Sequence, residues 1–275
     1  MQSQGFIEGR NVRIDYRWAE GHYDDLPKLA AELVQSQVNL IAATGGVTPA
    51  QVAKNATATI PVLFVAGFDP VQLGLVASLN NPGGNLTGVS VFSTELATKR
   101  LEVLHDLLPG ISALGILVNP GSVATRIETR ESVAAAQHFG LELLVIEAST
   151  EREIDAAFAS LASNKTNALL VSADPFFTSK RDELVALAAR HALPAMYPWR
   201  EYVEAGGLLS YGTELTWAYH QIGNYAGRIL KGAKPTDLPV QLPTNFDLVI
   251  NVKTAKALGL TVPALVLARV SETID

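Results

Sequence analysis

The stretch LIAATGGVTPAQVAK, Leu40 to Lys54, decides the fold class. An apolar run stops at Thr44-Gly45-Gly46, and a proline then stands at the opening of a helical pattern. A continuous apolar strand is expected where both faces of a sheet are covered. Pro suits the first turn of a helix, where its missing N–H leaves no bond unmade. Strand, glycine turn and helix in this order are the unit from which parallel α/β sheets are built.

Outward from this unit the same alternation runs along the chain. NVRIDYRWA, Asn11 to Ala19, alternates apolar and polar residues and predicts a strand. Asp24 and Asp25 open a helix whose stripe is Leu26, Leu29, Ala30, Leu33 and Val34. PVLFVAG predicts a buried strand, followed by a helix from Asp69-Pro70 to about Leu79, then by the strand LTGVSV. A long helix is expected over Thr94 to Leu108. The pattern then restarts with ALGILV, the turn Asn119-Pro120-Gly121-Ser122 and a helix to Phe139-Gly140. Strands LELLVIEA, ALLVSA, Ala195 to Tyr197 and LLSYG follow. Helices Glu151 to Ala162, Asp174 to His191 and Glu214 to Lys231 alternate with them. PVQLPTNFDLVIN is extended, and a small helix ends at Leu258. Because ATGGVTP and LVNPGSV hold matching places in two halves, we expect two Rossmann-like lobes with parallel sheets. The seam between them falls near Val89 to Thr94.

Composition narrows the function. The 275 residues are 48% hydrophobic and 17% charged, enough apolar matter for two modest cores. A net charge of −6 without a Lys/Arg run argues against a nucleic-acid surface. There is no cysteine, hence no disulfide and no thiolate zinc site. The five histidines, His22, His105, His138, His191 and His220, have no metal-ligand spacing. No G-x-x-x-x-G-K-[ST], G-x-G-x-x-G or G-x-S-x-G motif occurs, so nucleotide, dinucleotide and hydrolase readings lack their signatures. We expect no catalytic constellation, no metal and no cofactor.

Ligands of open parallel sheets bind where strands end and helices begin. Four such turns stand out: Thr44 to Thr48, Gly67 to Asp69, Asn119 to Ser122, and Ser172 to Phe177. Gly45 and Gly46 permit close backbone approach, and a helix N-terminus favours an anion. A carboxylate fits as well as a phosphate. Thr48 and Ser122 add hydroxyls, and Phe68, Asp69 and Asn119 complete the two other turns. Asp174, followed by Phe176 and Phe177, is a candidate partner for a ligand ammonium against an apolar wall, which Trp199 and Tyr211 would extend. Each feature has a plain structural account as well. Glycine pairs make tight connections, Ser, Thr and Asp cap helices, and aromatic side chains fill cores.

Several longer runs carry a family resemblance. They are RWAEGHYDDLPKLAAELVQ, TGGVTPAQVAKNATATIPVLFV, DPVQLGLVASLNNPGGNLTGVS, LLPGISALGILVNPGS, ADPFF, GGLLSYGTE and GRILKGAKPTDLPVQLPTNFDLVINVKTAKALGLTVP. Together they resemble the ABC-transporter substrate-binding proteins related to the tryptophan-binding protein TrpX, over nearly the whole chain. The resemblance implies a type I periplasmic-binding-protein fold. Its two lobes would be joined by crossovers at Val89 to Ser93, Ser210 to Thr213 and Pro239 to Phe246, with a ligand held between them. Lobe 1 would then comprise residues 1–90 plus 213–240 and lobe 2 residues 91–212 plus 241–275. It also implies an ABC permease as partner and a periplasmic location. Carried over by position, Thr44, Gly46 and Thr48 would meet a ligand carboxylate with help from Ser122, and Asp174 would meet the amine. The ligand would be an aromatic or other hydrophobic amino acid, or an aromatic acid.

Against the family pattern, GFIEGRNV corresponds to the approach to the second strand. The first strand of lobe 1 and a signal peptide are therefore expected to be lacking. A mis-assigned start is the expected reason. A truncated gene, or a strand supplied by another copy in a homodimer, are the alternatives, and a genuine start would make the protein cytoplasmic. Two other function classes remain open: a ligand-sensing regulatory domain of the same fold, without its helix-turn-helix, and a small α/β enzyme using Asp174 or Asp69 as base.

Overall fold

The computed structural model describes residues 1–275. In chain order the helices are α1 (Leu26–Gln35), α2 (Val47–Ala56), α3 (Ala97–Leu107), α4 (Thr125–His138), α5 (Glu151–Ser163), α6 (Pro175–Ser179), α7 (Arg181–Arg190), α8 (Arg200–Glu204), α9 (Leu215–Leu230), α10 (Val252–Ala257) and α11 (Ala264–Leu267). The strands are β1 (Ile41–Ala43), β2 (Val62–Ala66), β3 (Leu86–Ser90), β4 (Ala113–Val118), β5 (Glu142–Glu147), β6 (Ala168–Val171), β7 (Ala195–Tyr197), β8 (Leu209–Gly212), β9 (Asp247–Asn251) and β10 (Glu272–Ile274). The chain folds as two compact units. Unit 1 comprises Met1–Phe92 and Leu215–Thr244; unit 2 comprises Ser93–Glu214 and Asn245–Asp275.

Unit 1 holds a parallel sheet in the order β1-β2-β3. β2 and β3 are buried along their whole length, as the unbroken apolar runs require. The returning segment adds one further rung: the Gln241 N–H donates to Gly88 O at 2.9 Å and the Ser90 N–H to Gln241 O at 3.0 Å. Helix α9 buries Ala218, Ile222, Tyr225 and Ile229, its inward stripe. β2 and β3 also approach closely at Gly88, where a Cβ would lie 2.1 Å from Phe64 O. Backbone cannot yield as a side-chain tip can. Gly88→Ala is therefore expected to cost about 3 kcal/mol, the upper end for overpacking, read as a lowered denaturant midpoint.

Unit 2 holds seven strands in the order β10-β9-β8-β7-β6-β4-β5. Its core gathers Leu101, Leu104 and Leu107 of α3, Leu114, Ile116 and Val118 of β4, and Leu170, Met196, Leu209 and Ile250 of the neighbouring strands. Each such fully buried aliphatic side chain contributes about 1.5–3 kcal/mol of transfer free energy.

Several expectations are corrected. Asn11 to Ala19 forms no strand; Val12 makes one bridge, to Glu8, and the segment joins no sheet. No strand borders it, so alternation has no ladder to join, and Trp18 is left 73% exposed, stacked on Tyr16. No helix follows Asp69. The chain turns once, the Leu75 N–H returns to Pro70 O at 2.8 Å, and Gly74 adopts φ 64°. The helix expected to His191 is split into α6 and α7 at Lys180. The larger sheet is not wholly parallel, since β9 runs antiparallel to β8. The chain leaves unit 2 after β8 and re-enters at β9, so no βαβ crossover dictates the strand's direction. Helices α8 and α11 and strand β10 are short elements whose few residues carry too little periodicity to be read.

Candidate functional site

In unit 1 the turns after β1 and β2 lie side by side, because Ala43 pairs with Phe64 in register. Gly46 is the N-cap of α2 with φ 90° and ψ −160°, a conformation open to glycine and not to residues with a Cβ. It lets the chain turn directly into the helix. Thr44, Gly45, Gly46 and Thr48 are half-buried around this corner, with Thr48 in the first turn of α2. Phe68 is buried beyond β2, and the Ser90 hydroxyl donates to its carbonyl at 3.2 Å. The Asp69 carboxylate accepts from the Val71 N–H at 2.8 Å and from the Gln72 amide at 3.3 Å, which caps the turn that replaces the expected helix.

In unit 2 the turns after β4, β6 and β7 and the end of β8 line one edge of the sheet, as the strand order requires. Asn119 and Asp174, at adjacent strand tips, are joined directly. The Asn119 Nδ2 donates to Asp174 Oδ1 at 3.0 Å, and the Phe176 N–H donates to the same oxygen at 2.9 Å. Asp174 is thus the N-cap of α6 and half of a buried polar pair at once, only 3% exposed. Asn119 Oδ1 accepts from the Gly121 N–H at 3.0 Å, which orients the amide toward Asp174. Ser122 sits in the turn ahead of α4, its N–H donating to Asn119 O at 3.1 Å.

The aromatic candidates divide by burial. Phe176 and Trp199 are buried but retain a little surface, Tyr211 is half-buried, and Phe177 is 0% exposed and presents none. The ring of Tyr211 lies 6.4 Å from that of Phe246. Behind Trp199, Tyr197 and Tyr202 stack at 4.7 Å between centroids, and burial raises both phenols well above their ordinary range.

Two residues of this region escaped the reading of the turns. Arg100 of α3 is fully buried; its Nε donates to Tyr211 O and its Nη1 to Ser93 O, each at 2.7 Å. Glu128 of α4, 4% exposed, accepts from the backbone of Ala173 and faces Arg100. The signal was present. Arg100 stands at helical spacing with Ala97, Leu101, Leu104 and Leu107, and Glu128 with Ser132, Ala135 and Ala136, so each is a charge within an apolar stripe. Burial pushes the Glu128 carboxyl up to about 7, against the attraction of Arg100. The same burial lowers Arg100 to about 10. Both shifts say that desolvation outweighs the pair's attraction.

A carboxyl raised in the folded state favours folding below its unfolded value, near pH 4.5, and that contribution is lost as pH rises through about 7. Relative to Glu128→Gln, the wild type is therefore expected to lose about 3 kcal/mol between those limits. Parallel melts of the two proteins across this range measure it.

Comparison with known proteins gives the family. Residues 1–274 match the family described as ABC transporter substrate binding protein. The chain is 30% identical over 261 residues to the tyrosine-binding protein of Clostridioides difficile strain R20291, covering 94% of this chain and 74% of that one. Among solved structures, a conserved domain protein of Vibrio cholerae O1 biovar El Tor superposes with a TM-score of 0.88 at 29% identity, covering 99% of this chain and 91% of that one. An ABC domain from Streptococcus pneumonia in complex with L-Trp superposes with a TM-score of 0.84 at 28% identity, covering 96% and 90% of the two chains.

Proposed function

Since this chain belongs to the ABC transporter substrate-binding protein family, we propose that it is the solute receptor of an importer and that its ligand is an aromatic amino acid. Proteins of this family bind small molecules, work with ABC permeases and are not enzymes. They are typically periplasmic or extracellular, and we place this receptor in the periplasm. Their α/β architecture is that of the type I periplasmic-binding proteins.

The observation that carries the ligand class is the Asp174–Asn119 pair at the strand tips of unit 2. A buried carboxylate with aromatic neighbours suits an α-ammonium attached to an apolar side chain. The binding of tyrosine and of tryptophan by two relatives supports the same class. On the opposite charge, the N-terminus of α2, with Thr44, Gly46 and Thr48, would take the ligand carboxylate, since a helix N-terminus favours an anion. Ser122 adds a hydroxyl, and Phe176, Trp199 and Tyr211 supply apolar surface.

Calorimetry with L-tyrosine and L-tryptophan, followed by mass spectrometry of the recovered ligand, tests this reading. Saturable one-to-one binding with the ligand returned intact is expected. Binding of neither amino acid, or its conversion to a product, would overturn it.

A further inference from the structure

Arg100 and Glu128 are not among the ligand contacts proposed above, yet Arg100 reaches both segments at which the first stretch of unit 2 begins and ends. Ser93 is the first residue of that unit, and Tyr211 lies just before Glu214, where its first stretch ends. Arg100 ties these two distant backbone positions together through their carbonyls. On its other side it faces Glu128, which holds the backbone of Ala173, the residue before Asp174. The connection thus runs from Asp174 through Ala173, Glu128 and Arg100 to the two peptide groups beside which the chain passes into unit 1. Along it, Arg100 Nη2 and Glu128 Oε1 are buried without a hydrogen-bond partner, and so is Ser132 Oγ on the same face of α4. Unpartnered buried charge is costly, which points to a role beyond packing.

We propose that Glu128 and Arg100 are positioning residues that link the ligand-ammonium site at Asp174 to the Ser93 and Tyr211 backbone, so that occupation of the site is felt where the chain leaves unit 2. This rests on the reading of Asp174 as the amine partner. Charge carries the link. Asp174 and Glu128 repel one another, and an ammonium on Asp174 relieves that repulsion and favours the ionised form of Glu128. Ionised Glu128 in turn draws on Arg100. The charged and titratable groups facing Glu128 are Arg100 on α3, Glu95 ahead of α3 and Asp174 ahead of α6; Tyr211 on β8 faces Arg100. Glu128 is raised to about 7, near neutrality, whereas Arg100 at about 10 stays charged there. Binding of an aromatic amino acid should therefore expel part of a proton near neutral pH, and affinity should rise with pH.

The experiment has a ligand arm and a ligand-free arm. In the first, L-tyrosine and L-tryptophan are titrated into the wild type at about pH 6, 7 and 8, in buffers of different ionisation enthalpy. Expected is roughly 2.5- to fivefold tighter binding at the highest pH than at the lowest, as a half-unit to one-unit fall in the Glu128 pKa from about 7 gives over this range, with proton release at neutrality. Glu128→Gln should abolish both the slope and the release. Glu128→Asp, which restores the charge, should recover part of them. Phenylpropionate, which lacks the amine, should show neither. A slope that survives in Glu128→Gln, or one equal for phenylpropionate, overturns the proposal. In the second arm, NMR follows the amides of Ala173, Thr94 and Gly212, the last two on the peptide groups whose carbonyls meet Arg100. In the unliganded wild type all three should titrate with one midpoint that vanishes in Glu128→Gln. Failure of Thr94 and Gly212 to follow Ala173 breaks the link, whatever the ligand. Absence of wild-type binding with the shared midpoint intact overturns the ligand reading alone.

Discussion

Exchanging Asp174 for Asn is expected to weaken L-tyrosine or L-tryptophan binding by at least about 30-fold and to leave the fold in place. The two roles of this side chain separate cleanly. The hydrogen bonds from Asn119 Nδ2 and the Phe176 N–H, which cap α6 and join the strand tips, converge on Oδ1. An asparagine carbonyl occupies that position and accepts the same bonds, and Asn serves as an N-cap as well as Asp does. What the substitution removes is charge. Truncating one partner of a buried, hydrogen-bonded charge pair costs about 2–5 kcal/mol, and the lower end of that range is about 30-fold in Kd. Calorimetry gives the loss, and a thermal melt close to that of the wild type shows that the fold is intact. Unchanged affinity would reduce Asp174 to a helix cap.

Arg100→Met should produce the largest stability loss of any single change at the site. The guanidinium is wholly enclosed, and its removal strands Ser93 O, Tyr211 O and the Glu128 carboxylate in apolar surroundings. Leaving a buried carboxylate without its compensating charge costs about 3–5 kcal/mol. At about 2–4 °C per kcal/mol for a protein of this size, the melting temperature should fall by roughly 6–20 °C. The double variant Arg100→Met with Glu128→Leu should regain part of this, because it also removes the buried carboxylate left uncompensated. Both melts are best taken at pH 8, where the carboxyl raised to about 7 is largely ionised. A single variant that melts with the wild type would mean that the guanidinium contributes nothing net.

How much of the site could be read beforehand follows from the distance over which each feature is decided. Gly46, Pro49 and the first turn of α2 lie within a few residues of one another, and the capping of α6 by Asp174 reaches only to Phe176. Such features are set by turn chemistry and are written locally. The pairing of Asp174 with Asn119 spans 55 positions, and that of Arg100 with Tyr211 spans 111. No local pattern specifies either contact.

By itself the sequence determined the α/β class, the places of most strands and long helices, and the turns that face the sheet edges. Periods of two and 3.6 residues and the backbone limits of Gly and Pro act within a single element. The tertiary structure alone decided that β9 runs antiparallel to β8, that Asn11 to Ala19 joins no sheet, and that Phe177 is sealed inside. It alone set Arg100 and Glu128 face to face. Which strands become neighbours, and which charges they enclose, is a contest among groups remote along the chain, settled by burial and hydrogen bonding only once the sheet is assembled.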